Sequence, residues 1–307
     1  MSVLIEARDL ARYYGQVVGL NDLSITIENG VTGLLGPNGA GKSTFLKLVA
    51  GEIRPSRGGL RVFGQVPFAN RDYFREVGFA PQQDALYGDM TGHEFVTFLL
   101  RLGGYTHADA RTLATRAIER VGLADAASRR TAGYSKGMRQ RIRLAQAIAH
   151  SPRFLIVDEP MTGLDPLARR DMSELFATLA REGMSILLSS HILHEVEHLT
   201  PNVVLLHRGR LLAQGPVREI RKLLLRQPRK VEAVCREPRR LASALLERPE
   251  VTSVRLAPDG RGLAFETSDL EALWTALPGV AARARAGIQS FESTDASLEA
   301  VFDYLVT

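Results

Sequence analysis

Gly36-Pro37-Asn38-Gly39-Ala40-Gly41-Lys42-Ser43-Thr44 is the stretch on which the fold turns. It matches the pattern G-x-x-x-x-G-K-[ST] and lies between an apolar run, Val31-Thr32-Gly33-Leu34-Leu35, and a segment of helical character from Ser43 to Ala50. A strand feeding a glycine-rich turn and then a helix is the setting in which this pattern cradles phosphates. Glycines let successive backbone N–H groups turn towards an anion without Cβ clashes. A helix beginning near Lys42 adds unpaired N–H groups and the positive end of its dipole. There Lys42 would reach the β- and γ-phosphates of ATP, and the Ser43 hydroxyl would face Mg²⁺. The bland alternative is a glycine turn with an incidental lysine.

Two more apolar runs read as buried strands. Phe154-Leu155-Ile156-Val157 ends in Asp158-Glu159, and Ser185-Ile186-Leu187-Leu188-Ser189 leads to Ser190-His191. Carboxylates at the C-terminal edge of a parallel sheet sit where such folds bind ligands. Neighbours on a strand point to opposite sides, so the two acids are expected to have different tasks. Asp158 would hold Mg²⁺, directly or through water, and Glu159 would polarise the attacking water; helix-capping acids are the alternative. Residues 91–150 read as mostly helical, with a capping box at Thr91-Gly92-His93-Glu94. Before the glycine loop, Val3-Leu4-Ile5, Val17-Val18 and Leu23-Ser24-Ile25-Thr26-Ile27 read as strands, the last ending at the turn Glu28-Asn29-Gly30. Apolar strands alternating with helices predict an α/β fold whose parallel sheet is covered on both faces.

The 307 residues suffice for one large α/β domain and a small one. Hydrophobic residues at 45% and charged residues at 24% fit a water-exposed globular chain. The start Met1-Ser2-Val3-Leu4-Ile5-Glu6 meets a charge too early for a signal peptide, and no apolar run approaches the ~18–20 residues of a membrane span. A cytoplasmic location is therefore expected. One cysteine, Cys235, excludes an internal disulfide and argues against a thiolate zinc site; it reads as a small apolar filler in a strand. A net charge of +5 permits acidic partners without requiring them.

The pattern changes after Gly215-Pro216. Residues 1–217 are taken as the nucleotide-binding domain, 218–229 as a basic linker helix carrying Ile220, Leu223 and Leu224, and 230–307 as a small α+β domain. Arg218, Arg221, Lys222 and Arg226 read as a solvated face, or as contacts to acidic headgroups. Val251–Leu256 and Leu263–Thr267 flank Pro258-Asp259-Gly260-Arg261, a hairpin signal, and a final amphipathic helix carries Leu298, Val301, Phe302 and Leu305.

Over residues 1–217 the order of motifs resembles the ABC ATPases. Tyr14 before Gly15 resembles the aromatic residue that stacks adenine, or is a half-buried strand tyrosine. Gln82, beside Gln83 in Ala80-Pro81-Gln82-Gln83, resembles the glutamine that contacts Mg²⁺ and water next to the membrane subunit. Tyr134-Ser135-Lys136-Gly137-Met138 resembles the signature segment, Gly163-Leu164-Asp165-Pro166 the D-loop, and Ser189-Ser190-His191 the switch histidine. The resemblance implies a P-loop NTPase with an N-terminal antiparallel β subdomain and a helical subdomain. It implies head-to-tail pairing with a second copy or a homologous ATPase, so that Ser135 and Gly137 of one chain cover ATP held by the other. His191 would touch the γ-phosphate and align Glu159 with water, or only cap the following helix, and Asp165 would report across the interface. A separate multi-span membrane permease is implied as partner, holding the chain at the inner face of the membrane, with no nucleic acid expected.

The signature departs from its commonest form, L-S-G-G-Q, at Tyr134, Lys136 and Met138. Lys136 would add charge near the phosphate or point to solvent. Arg139, Arg141 and Arg143 read as a solvated helix face. Y-S-K-G-M and the ending Ser297-Leu298-Glu299-Ala300-Val301-Phe302 resemble the efflux branch. The alternative is an ABC ATPase acting on DNA or ribosomes, but a long coiled coil and a second ATPase domain are both missing here.

Overall fold

The computed structural model describes residues 2–83, 86–220 and 229–293. The chain divides into two units, Met1–Pro216 and Val217–Thr307. Of the helix expected at 218–229, Arg218–Ile220 are helical and Arg229 already opens a strand; its remaining residues and the helix expected around Leu298–Leu305 lie outside the described residues.

The first unit opens with β1 (Val3–Tyr14) and β2 (Val17–Glu28), followed by β3 (Val31–Leu35), α1 (Lys42–Val49), β4 (Arg57–Val62), α2 (Arg71–Glu76) and β5 (Val77–Ala80). Three helices come next: α3 (Gly92–Leu102), α4 (His107–Arg120) and α5 (Lys136–Ile148). It closes with β6 (Phe154–Val157), α6 (Pro166–Arg181), β7 (Ser185–Ser190), α7 (Leu193–Glu197), β8 (Asn202–His207) and β9 (Arg210–Pro216).

Two sheets follow from two burial patterns. In β2, Leu23, Ile25 and Ile27 are buried while Ser24, Thr26 and Glu28 are exposed, the period-2 alternation of a sheet with one wet face. This strand belongs to an antiparallel sheet of order β2-β1-β4. By contrast, every residue of β6 and β7 is buried, as expected when helices cover both faces. These strands lie in a six-stranded sheet of order β5-β6-β7-β3-β8-β9, parallel except for the β8–β9 pair. The strand before the glycine loop and the strand before the paired acids thus end at the same edge, with β7 between them.

The capping box forms: Thr91 Oγ1 accepts from the Glu94 amide at 3.1 Å, and Glu94 accepts from the Thr91 amide at 2.8 Å. That second bond holds the Glu94 carboxyl below its usual pKa range.

The second unit contains β10 (Arg229–Cys235), α8 (Pro238–Leu246), β11 (Val251–Leu256), β12 (Gly262–Thr267), α9 (Leu270–Ala284) and β13 (Ile288–Ser293). The hairpin expected around Asp259-Gly260 is β11–β12. A β-α-β-β-α-β order with antiparallel strands arranged β11-β12-β10-β13 is a ferredoxin-like unit. Its own core gathers Val231, Leu241, Leu263, Phe265 and Leu273 around the buried Cys235. Among the described residues no helix is long and apolar enough to cross a membrane.

Candidate functional site

The loop from Gly36 to Gly41 joins β3 to α1 at the sheet's C-terminal edge. Gly39 and Gly41 have φ of 80° and 101°, a region that a Cβ makes costly. At Gly41 a Cβ would also come within 2.6 Å of the Gly19 carbonyl oxygen, and at Gly36 within 2.5 Å of that of Leu206. Gly41 caps α1 without a side chain, so the first amides of the helix are left for a ligand. A cleft of about 410 Å³ opens over this turn. It is lined by Asn38, Gly39, Ala40, Gly41, Lys42, Ser43 and Thr44 from the loop, and by Tyr14, Gln82, Glu159, Thr162 and His191 from elsewhere.

Lys42 is 5% exposed, and its Nζ donates to the Gly36 carbonyl at 2.6 Å while standing 3.3 Å from Glu159 Oε1. The other oxygen of Glu159, Oε2, lies 2.8 Å from His191 Nδ1 and accepts from the Thr162 hydroxyl at 3.1 Å. One carboxylate therefore holds an ammonium, an imidazole and a hydroxyl in the cleft.

The two acids diverge, but not by alternation along a strand. β6 ends at Val157, and Glu159 adopts φ 50°, in the left-handed region. Its conformation is supported by Ser189, which is fully buried. Ser189 Oγ accepts from the Glu159 amide at 2.8 Å and donates to Asp158 Oδ1 at 2.6 Å. Glu159 is thus turned into the cleft, while Asp158 stays behind it against β7 and does not line it. A strand-end serine opposite an acid is visible only once the β6–β7 register is known, with Val157 beside Leu188. Thr162 likewise gains a role only through the turn at Glu159.

Tyr14 is half-exposed at the cleft mouth, with the Arg12 guanidinium 4.8 Å from its ring centroid and its ring edge packed over Gly19. Of the two adjacent glutamines, Gln82 lines the cleft. The expected solvated arginine face is corrected. Arg143 is 7% exposed, and its Nη1 donates to the carbonyls of Pro81, Gln82 and Gln83 at 2.6, 2.6 and 3.1 Å. Arg139 Nε donates to the Tyr134 carbonyl, while Arg141 pairs with Asp171. Helical periodicity alone does not tell a long cationic side chain reaching inwards from one reaching into water.

Ser135, Gly137 and Asp165 do not line this cleft. Ser135 caps α5 by accepting from the Met138 amide at 3.3 Å. Asp165 caps α6 by accepting from the Ala168 amide at 2.8 Å. Both caps are exposed. The Lys136 side chain folds over Gly163, where a Cβ would collide with its ammonium. The exposed Lys136 ammonium thus lies beside the D-loop segment of its own chain.

For a divalent cation the cleft offers Ser43 and Gln82, while the Asp158 carboxylate stands outside its lining and accepts from the Ser189 hydroxyl. Among the described residues no cluster of three or more His, Cys, Asp or Glu could hold a metal. Such a donor set fits Mg²⁺, which is commonly held by one carboxylate together with substrate phosphates rather than by a protein cage.

The ABC transporter family model matches residues 20–162. An uncharacterized ABC transporter ATP-binding protein of Bacillus subtilis is 36% identical over 220 residues, 71% of this chain and 73% of that protein. The daunorubicin/doxorubicin resistance ATP-binding protein of Streptomyces peucetius is 31% identical over 300 residues, covering 97% of this chain and 91% of its own. The bacitracin transport ATP-binding protein of Bacillus licheniformis is 34% identical over 72% of each chain. Among solved structures, an ATP-binding subunit of an ABC transporter superposes with a TM-score of 0.64 at 31% identity, over 72% of this chain and 93% of that one. A dimeric bacterial ABC transporter cassette, at 21% identity, shares the fold with the same TM-score. The chain belongs to the ABC transporter family, as an ATP-hydrolysing nucleotide-binding subunit.

Proposed function

We propose that two such chains, or this chain and a homologue, close head to tail on ATP and reopen on hydrolysis, driving export through a separate membrane permease. The observation that carries this reading is the separation within one chain: the cleft holds Lys42, Glu159 and His191, while Ser135, exposed, and Gly137, half-buried, lie at another place. The amides at the start of α5 then complete the site of a partner, where a phosphate meets unpaired N–H groups. ATP bound between two chains favours the closed state because only that state offers it both surfaces.

In this reading the glycine-loop amides and Lys42 hold the phosphates, and Tyr14 stacks the base. Glu159 accepts a proton from the attacking water, with His191 and Thr162 fixing its carboxylate. Ser43 and Gln82 would hold Mg²⁺, together with Asp158 directly or through water. The ion would supply charge neutralisation on the phosphates. Asp165, at the exposed start of α6, faces the partner. Export rather than import is supported by the relatives named for resistance to linearmycin and to daunorubicin/doxorubicin and for Nod factor export.

Complementation tests the composite site. A Lys42→Ala chain and a Ser135→Arg chain each lack one half of both sites, yet a mixed dimer keeps one intact site. The mixture should recover ATP-dependent dimerisation that neither chain shows alone. Recovery by Ser135→Arg alone, or none in the mixture, overturns the reading.

A further inference from the structure

β5 is an edge strand of the six-stranded sheet, so its outer carbonyls need partners from outside the sheet. Helix α5 and the turn that follows it supply them. The helix lies so close that a Cβ at Gly78 would collide with the Ala147 carbonyl. His150 Nε2 stands 3.1 Å from the Val77 carbonyl, and Gln146 Nε2 donates to the Phe79 carbonyl at 2.8 Å. Arg143 completes the row on Pro81, Gln82 and Gln83. Donors spaced by three or four residues along α5 and the turn after it meet acceptors spaced by two along β5 and its extension, so α5 runs antiparallel to β5. The first two contacts fasten the helix to the strand. The third reaches past the strand end and gathers three consecutive carbonyls of the turn that carries Gln82.

We infer that Arg143 is a positioning residue that locks the Gln82 turn to the helix bearing the signature, so that Gln82 moves with Ser135 and Gly137. The inference rests on the role proposed above for Gln82. Arg143 lies about two turns along α5 from the signature, and an α-helix transmits a displacement over that distance as a rigid rod. In a head-to-tail dimer the signature of this chain serves the partner's ATP, while Gln82 serves its own. Arg143 therefore ties the state of one site to the geometry of the other. A buried cation on three carbonyls suits this task, because charge-assisted bonds are the stronger ones and a turn wrapped round one nitrogen has few other conformations. Gln146 and His150 do not depend on Arg143, so its removal frees the turn while the helix stays fastened to β5.

The test is a double-mutant cycle on the full chain with Arg143→Met and Gln82→Ala, read by kcat, by ATP affinity without divalent cation, and by amide hydrogen exchange. Arg143→Met should lower kcat about ten- to hundredfold, the loss set by charge-assisted bonds of ordinary strength. ATP affinity should be unchanged, and exchange should quicken in the peptide containing Gln82 and Gln83 but not in α5. In the Gln82→Ala background Arg143→Met should lower kcat no further. Arg143→Lys, which keeps three donors, should restore part of the rate. Additive losses in the cycle, or exchange that quickens across the whole unit, would overturn the positioning role. Wild-type turnover in Gln82→Ala would instead remove the Gln82 role on which the inference rests. If Arg143→Met does not fold, Arg143→Lys and Arg143→Gln carry the same cycle.

Discussion

Replacing Glu159 with Gln changes one buried charge at constant shape, and the structure gives that change two separable consequences. The first is on turnover: with its base lost, the enzyme should slow by ~10²–10⁴, about 3–5 kcal/mol of barrier. The second concerns Lys42. Glu159 Oε1 is 3.3 Å from Lys42 Nζ, and both side chains are almost fully buried. Breaking a buried pair from one side costs ~3–5 kcal/mol when the remaining charge has nothing else. Here Lys42 keeps the Gly36 carbonyl at 2.6 Å and the Pro37 carbonyl at 3.4 Å, so about 2 kcal/mol is expected. For a unit of this size that lowers the Tm of the nucleotide-free protein by roughly 4–8 °C. Phosphate charge then replaces the lost carboxylate, so ATP should bind Glu159→Gln up to ~30-fold more tightly than wild type. Differential scanning with and without ATP in EDTA isolates the pair from dimerisation, and phosphate release measures turnover. Wild-type turnover in the variant refutes the base assignment. An unchanged nucleotide-free Tm together with an unchanged ATP-induced shift refutes the energetic role of the Lys42–Glu159 pair.

Ser189→Ala removes the bridge between Asp158 and the Glu159 amide, leaving a buried acceptor and a buried donor unsatisfied; a loss of ~2–4 kcal/mol is expected in chemical denaturation, and an unmoved midpoint would contradict the bridge. Co-purification of the tagged chain from native membranes should recover a multi-span protein in stoichiometric amount. Recovery of ribosomes or DNA instead would favour a non-transport ATPase.

The glycine loop was legible because its demands are local. Positive φ at Gly39 and Gly41, a lysine at the first helical position and an apolar strand before it all fall within a dozen residues. The same holds for the Thr91–Glu94 capping box and for the β11–β12 hairpin, each set by residues a few positions apart. Buried strands announced themselves as uninterrupted apolar runs, which only a sheet covered on both faces can accommodate.

What lay beyond the sequence depended on register and on the reach of long side chains. Asp158 and Glu159 part through a left-handed residue, a conformation that no residue-type pattern marks at a glutamate. Ser189 bridges them because β6 and β7 are neighbours in a particular alignment, although about thirty residues separate them in sequence. Arg143 looked like Arg139 and Arg141 by type and spacing, yet it alone faces the β5 edge and turns inwards. Local chemistry, written in adjacent residues, was determined by the sequence itself: that the chain is an ATP-binding subunit, with a glycine loop between β3 and α1. Only the tertiary structure decided which distant serine, threonine and arginine contact Asp158, Glu159 and the Gln82 turn, because those contacts exist only once separate elements are packed at fixed register.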